Sequence, residues 1–430
     1  MFDWTIGTFG ILLIGILLLL FYNGLTCSLL DPPVKAKVQT LVFYALVARL
    51  VWDLIYFGFI ADSYPFMITD DYNYFQNALR TFSNPEVGRN NYQTFLNYLY
   101  YLFGASSFNG RLVNLFASVA ATYPIAYIES RFNGNTNRFV ATKLYCFLPF
   151  MVTISSFEIK DILSMLFFCS SCMMMLYMLH NNKIRKWPWL LVFCILSELM
   201  RSGMGLLVLG VYLCTVFYRL IKAGSGKKAG KYIAFVCLVA LLSVGIMLLM
   251  STEYYKDVIS MLDQYSAGRD QSTTSGSMFD FLTIKSVWEL WKIPLDLLFY
   301  VMLPNSSEHV GRFLFDFGVY LRFFDVPISI LGVYWLIRNV KKFGAFAVCV
   351  LVPYCYLACI QIITFREVIF IMPLLYICGV SYLIPEYSGL ENKNLKRLYL
   401  SGRSTAITYR MAIAIAMYIV WGAFIMIKVR

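Results

Sequence analysis

The run "ITDDYNYFQNALR" (Ile68 to Arg80) sets two adjacent carboxylates, Asp70 and Asp71, beside Tyr72, Tyr74, Phe75 and Arg80. Carboxylates next to an attacking hydroxyl have two uses. One takes the proton as the hydroxyl attacks; the other holds a cation that does the same work. Flat rings such as those of Tyr72 and Tyr74 suit the face of a sugar, and their hydroxyls suit its hydrogen bonds. The same letters also fit a solvated turn in which Thr69 and the acids cap a short helix.

A second set of residues is cationic. "SSFEIKDILSML" brings Glu158, Lys160 and Asp161 to the start of an apolar run. Asp161 suits the positive end of a helix dipole, whereas Lys160 does not. Arg201 follows Glu198 by about one helical turn in "SELMRSGMG", so a local ion pair is the alternative to a binding role. Arg366 precedes the apolar "VIFIMPLLY", with Glu367 beside it. Cations gathered at one membrane face can clamp a phosphate on which negative charge develops as it leaves. Arg269, in the polar run "SAGRDQSTTSGSMFD", would close over the same place from a mobile loop. Arg49 and Asp53 are different: they stand four residues apart inside an apolar run and are expected to pair with each other. Glu129 reads as an interfacial residue at the end of its run.

These residues are carried by a chain that is 60% hydrophobic and only 14% charged, too little charge to cover a water-soluble surface of 430 residues. The apolar runs are continuous rather than alternating, which excludes a β-barrel and predicts an all-α polytopic membrane protein. Spans are expected over residues 5–23, 39–60, 110–130, 139–156, 162–180, 187–199, 204–221, 231–250, 314–337, 344–363, 368–385 and 409–427. That makes about twelve transmembrane helices in one integral membrane domain, 1–430. The first run lacks a basic flank and a small-residue cleavage site, so it is expected to be retained.

With the N-terminus outside, every short basic loop falls in the cytoplasm. Those loops hold Lys35 and Lys37; Arg131 and Arg138; Lys183, Arg185 and Lys186; Lys222, Lys227, Lys228 and Lys231; Arg338, Lys341 and Lys342; and Lys393, Lys396, Arg397, Arg403 and Arg410. The other side receives two long loops, 61–109 and 251–313, each carrying short interfacial helices. The first contains the acidic run; the second contains the polar mobile segment and the Trp-rich "VWELWKIPLDLLFYVMLP", expected to be re-entrant or interfacial. The formal charge of +12 therefore belongs to topology, and no nucleic-acid motif accompanies it. Most of the eleven cysteines sit inside apolar runs, including Cys169 and Cys172 of "CSSC", as small hydrophobes do. His180 and His309 stand too far apart in sequence to suggest a zinc site.

Together these features resemble the GT-C superfamily of polyprenyl-phosphate-dependent membrane glycosyltransferases. The resemblance rests on "DDYNYF" in the first outer loop, on "FNGRLVNLFASVAATYPIAYIESRFNG", on "FEIKDILSMLFF" and on "TFREVIFIMPLLYICGVSYL". It implies transfer of a sugar from a polyprenyl-phosphate-linked donor to a glycan, lipid or protein acceptor at the outer face of a bacterial cytoplasmic membrane. It implies Asp70 or Asp71 as the catalytic carboxylate, and Arg111, at the start of the helix after the acidic loop, as a substrate-binding residue. Some relatives use a divalent metal, Mg or Mn, which here would fall to Asp70 and Asp71. This chain departs from the pattern in carrying an extra helix before its acidic loop. An envelope polysaccharide polymerase that joins lipid-linked repeat units is the nearest rival. A lipid-linked-sugar flippase or secondary transporter is the alternative of another class, but it predicts midplane charges and internal repeats that the sequence does not display.

Overall fold

The structure, a computed structural model, describes residues 6–60, 69–81, 91–132, 138–181, 186–201, 203–223, 287–292, 325–360 and 368–383, with isolated helical positions at 412, 416 and 419. All elements among the described residues are helical. They are α1 (Ile6–Cys27), α2 (Pro32–Ile55) with a π-helical extension (Tyr56–Ile60), α3 (Thr69–Thr81), α4 (Asn91–Phe103) and α5 (Ser107–Phe132). After these come α6 (Val140–Phe147), α7 (Pro149–Ile154), α8 (Lys160–Asn181), α9 (Trp187–Met200) and α10 (Met204–Ala223). A 3-10 turn (Val287–Lys292) precedes α11 (Val326–Arg338), α12 (Val340–Phe343), α13 (Ala345–Ile360) and α14 (Met372–Leu383).

Four helices, α1, α2, α5 and α8, are long and apolar enough to cross a membrane; α9, α10, α11, α13 and α14 are shorter apolar helices. The four long ones divide by environment. α5 and α8 pack along each other at the centre of the bundle, and 94% of the apolar window of α5 is buried, against 28% for α1. α1 and α2 pack on α5 from outside and expose Leu13, Leu17, Leu20, Phe43 and Leu54, the outward apolar surface of a helix that faces lipid. α11 and α14 cross closely because each offers a glycine: a Cβ on Gly332 would lie 3.1 Å from the Gly379 amide, and one on Gly379 would strike Ile328. Small residues at a helix crossing let two backbones approach, the usual basis of helix association in lipid.

Helix boundaries follow local rules where the sequence supplies them. α2 begins at Pro32, seven residues before its expected start, since Pro32 and Pro33 fill its first turn where their missing N–H groups are no loss. The expected single span 139–156 is broken: Leu148 is extended and Pro149 opens a new helix, leaving α6 and α7. Within the long segment 61–109, α3 and α4 are short helices that pack on each other. The second outer loop is described only at the 3-10 turn, and the expected span 231–250 lies outside the described residues.

Two side-chain expectations are corrected. Arg49 and Asp53 do not pair, although both are buried. Arg49 donates to the Ser118 hydroxyl (2.9 Å) and to the Cys146 carbonyl (3.0 Å), while Asp53 accepts from Ser156. Helical spacing puts the two on one face, but neighbouring helices offer better-placed partners. Glu129 is not interfacial but fully buried, and it accepts from the backbone N–H groups of Ala141 and Thr142, both at 2.7 Å. It thereby caps α6, whose own N-cap residue, Phe139, makes no side-chain capping bond.

Candidate functional site

The site is built around a turn, residues 155–159, that joins α7 to α8. The turn holds itself loosely through Ser156 N–H to Thr153 (3.1 Å) and Phe157 N–H to Ile154 (3.3 Å). Other helices fix it. Asn114 of α5 donates to the carbonyls of Phe157 and Ile159, the latter at 2.9 Å. Asp71, on α3, accepts from the Glu158 amide at 2.9 Å through Oδ1. Its Oδ2 meets Arg111 Nη2 of α5 at 2.8 Å, and both side chains of this ion pair are fully buried.

The surroundings of Arg111 are aromatic. Its guanidinium lies 4.8 Å from the Tyr56 ring centre and 5.4 Å from that of Phe57. The π-helical extension of α2 is what brings these two rings there. A buried ion pair is costly to strip of water, so it persists only with good geometry and further bonds; Asp71 has both. Because α3 is otherwise polar and amphipathic, this ion pair and the rings of Tyr74 and Phe75 anchor it to the bundle.

Glu158 lies beside this pair. Tyr100 of α4 donates a short hydrogen bond to its Oε1, and its Oε2 has no partner among the described residues. Burial pushes the Glu158 carboxyl well above the usual range, and the negative charge of Asp71 pushes it further. The Tyr100 hydroxyl is raised for the same first reason, burial, and then by Glu158, so it stays a proton donor. The backbone must be close for this contact: a Cβ on Gly110 would overlap the Glu158 carboxylate and lie 2.9 Å from the Tyr100 hydroxyl. The result is one carboxylate clamped by a cation beside another carboxyl that favours its proton, an arrangement that separates acid from base.

The predicted residues fall into three groups. Asp71 and Arg111 come together, and Lys160 is half-buried at the first position of α8, two residues after Glu158. Arg201 joins them through Asp161, at 3.2 Å with little exposure. Glu198 accepts from the Gly203 and Gly205 amides at 2.9 Å each. Tyr72 is exposed on α3, whereas Tyr74 is buried with its ring edge-on to Tyr92 at 4.9 Å. Asp70 lies in the first turn of α3, but its side chain, like Arg269 and Arg366 altogether, lies outside the described residues.

Sequence reasoning named Glu158 without giving it a role, and it missed Asn114, Tyr100 and Ser156. Asn114 alone gave a signal, as an amide within an apolar helix. Among the described residues no three His, Cys, Asp or Glu side chains gather as a metal site needs. Asp71 also commits one oxygen to Arg111 and the other to an amide. The described donors therefore do not fit a divalent cation; the positive charge beside Asp71 is the guanidinium.

Residues 92–248 match the family described as dolichyl-phosphate-mannose-protein mannosyltransferase, a GT-C type glycosyltransferase family. The matched stretch contains Tyr100, Arg111, Asn114, Glu158, Lys160 and Arg201, and begins after Asp71. No curated protein matches the chain. The family match and the apolar helices indicate a membrane-embedded glycosyltransferase of the GT-C type.

Proposed function

We propose that the chain moves a sugar from a polyprenyl-phosphate-linked donor to a glycan, lipid or protein acceptor at the outer face of a cytoplasmic membrane. Asp71, with Asp70 before it in the same helical turn, receives or orients the acceptor hydroxyl. Lys160 and Arg201 hold the phosphate as negative charge builds on it. Arg111 is a binding and orienting residue that keeps Asp71 aimed. Tyr72, exposed on α3, offers its ring to the sugar. By the family's printed description, mannose is the first sugar to try.

One observation carries this reading: the acid of the first outer loop lies beside a turn whose next residues open α8 with a half-buried cation. Proton loss and phosphate departure need opposite charges at two ends of one short path, and Asp71 and Lys160 are the pair proposed to supply them.

The test is release of polyprenyl phosphate from polyprenyl-phosphate mannose in native membranes carrying the protein. Asp71→Asn is expected to lower turnover by roughly a hundredfold or more. Lys160→Ala and Arg201→Ala are expected to raise the donor KM with a smaller change in kcat. Thermal unfolding in detergent checks that each variant is folded. Full turnover in folded Asp71→Asn would refute the assignment.

A further inference from the structure

Asp53 lies near the end of α2, 2% exposed, in a helix long and apolar enough to cross a membrane. A carboxylate at such a place is costly and needs a reason. Its expected partner, Arg49, is committed to Ser118 and Cys146 and stacks 5.4 Å from the Tyr145 ring. Asp53 instead accepts from the hydroxyl of Ser156, 103 residues further along the chain. Ser156 lies in the turn that presents the Glu158 amide to Asp71. That turn is pinned from outside by three side chains on three helices: Asp53 of α2, Asn114 of α5 and Asp71 of α3.

We infer that Asp53 is a positioning residue: through Ser156 it fixes the 155–159 turn, so that the Glu158 amide meets Asp71 and the Glu158 carboxyl meets Tyr100. α2 takes part in the site by this route as well as by placing Tyr56 and Phe57 against Arg111. The effect on turnover rests on the glycosyl-transfer reading above; the effect on the turn does not.

Two measurements on the full-length protein in lipid nanodiscs test this. The first is hydrogen exchange of the peptide covering residues 155–159. Ser156→Ala and Asp53→Ala are both expected to speed its exchange by roughly tenfold. Asp53→Asn keeps an acceptor oxygen for Ser156 and is expected to stay near the native rate. The second is release of polyprenyl phosphate from polyprenyl-phosphate mannose. Ser156→Ala is expected to lower kcat by roughly tenfold to a hundredfold at unchanged donor KM, since a small misplacement of a reacting group has that cost. Asp53→Ala with Ser156→Ala is expected to be no worse than the worse single variant, because both remove one bond.

Native exchange in both Ser156→Ala and Asp53→Ala overturns the inference. Independent, multiplying losses of kcat, or a loss confined to KM, overturns it too. Altered exchange in a protein whose native form shows no polyprenyl phosphate release keeps the positioning role and removes the transfer reading instead. Should Asp53→Ala fail to fold, Ser156→Ala alone decides, as it removes only a hydroxyl.

Discussion

Glu158 is the residue whose protonation is most exposed to its surroundings. Its carboxyl is buried against Tyr100 and close to the charge of Asp71, and its proton affinity is raised well above the ordinary value of 4.5. A carboxyl raised on folding gives stability that is fully present below its unfolded value and is lost as pH rises through its folded value. The native protein is therefore expected to lose stability progressively as pH rises above 4.5 toward that folded value. Glu158→Gln keeps an oxygen for Tyr100 but cannot ionise. Its melting temperature relative to the native protein is expected to rise between pH 5 and pH 8, as judged by thermal unfolding in detergent. An identical pH slope in both proteins would count against a buried, proton-holding Glu158.

At the scale of the element, α5 is the part that makes the site possible. It presents Arg111 to Asp71 and Asn114 to the 155–159 turn, and one turn before Asn114 it offers bare backbone at Gly110. Gly110→Ala puts a methyl group onto the Glu158 carboxylate, so something must shift. The expected cost is about 1–3 kcal/mol, as for other overpacked positions, with a loss of polyprenyl phosphate release. Gly24→Ala in α1 and Gly210→Ala in α10 meet nothing within 4 Å. Both are expected to be neutral or to stabilise by about 0.5–1 kcal/mol, because alanine is the better helix former. Thermal unfolding of the three variants side by side separates close approach from simple propensity.

Across the whole molecule, α5 and α8 set the polarity of the bundle. Arg111 and Arg131 stand twenty residues apart on α5, roughly 30 Å along the axis, which is the thickness of a hydrocarbon core. α8 runs beside it in the same sense: Ile159, just before α8, meets Asn114, and the Tyr177 ring near its other end lies 6.4 Å from that of Tyr127. Asp71 and Lys160 therefore share one end with Arg111, while Arg131 marks the other. On the basic-loop rule the Arg131 end is cytoplasmic. In a cysteine-free background, Asn73→Cys is expected to react with an impermeant thiol probe from outside. Lys37→Cys and Gly226→Cys are expected to react only after the membrane is opened. Labelling of Gly226→Cys from outside would reverse the orientation and move the site to the cytoplasm.

The sequence by itself determined that the chain is helical and membrane-embedded and where its basic charge lies along the chain. These properties are local. A backbone in lipid must bond to itself, so each apolar run becomes a helix whatever its neighbours are, and Pro32 and Pro149 set boundaries through their own ring geometry. Tertiary structure alone decided which charges meet. Asp71 and Arg111 are forty residues apart, and Asp53 and Ser156 are separated by 103, whereas Arg49 and Asp53, aligned by helical periodicity, go separate ways. Glu129 likewise looks like a helix-end acid until α6 brings it two amides. A buried charge takes whichever partner gives the best geometry without water, and that partner is chosen by how the helices pack rather than by distance along the chain.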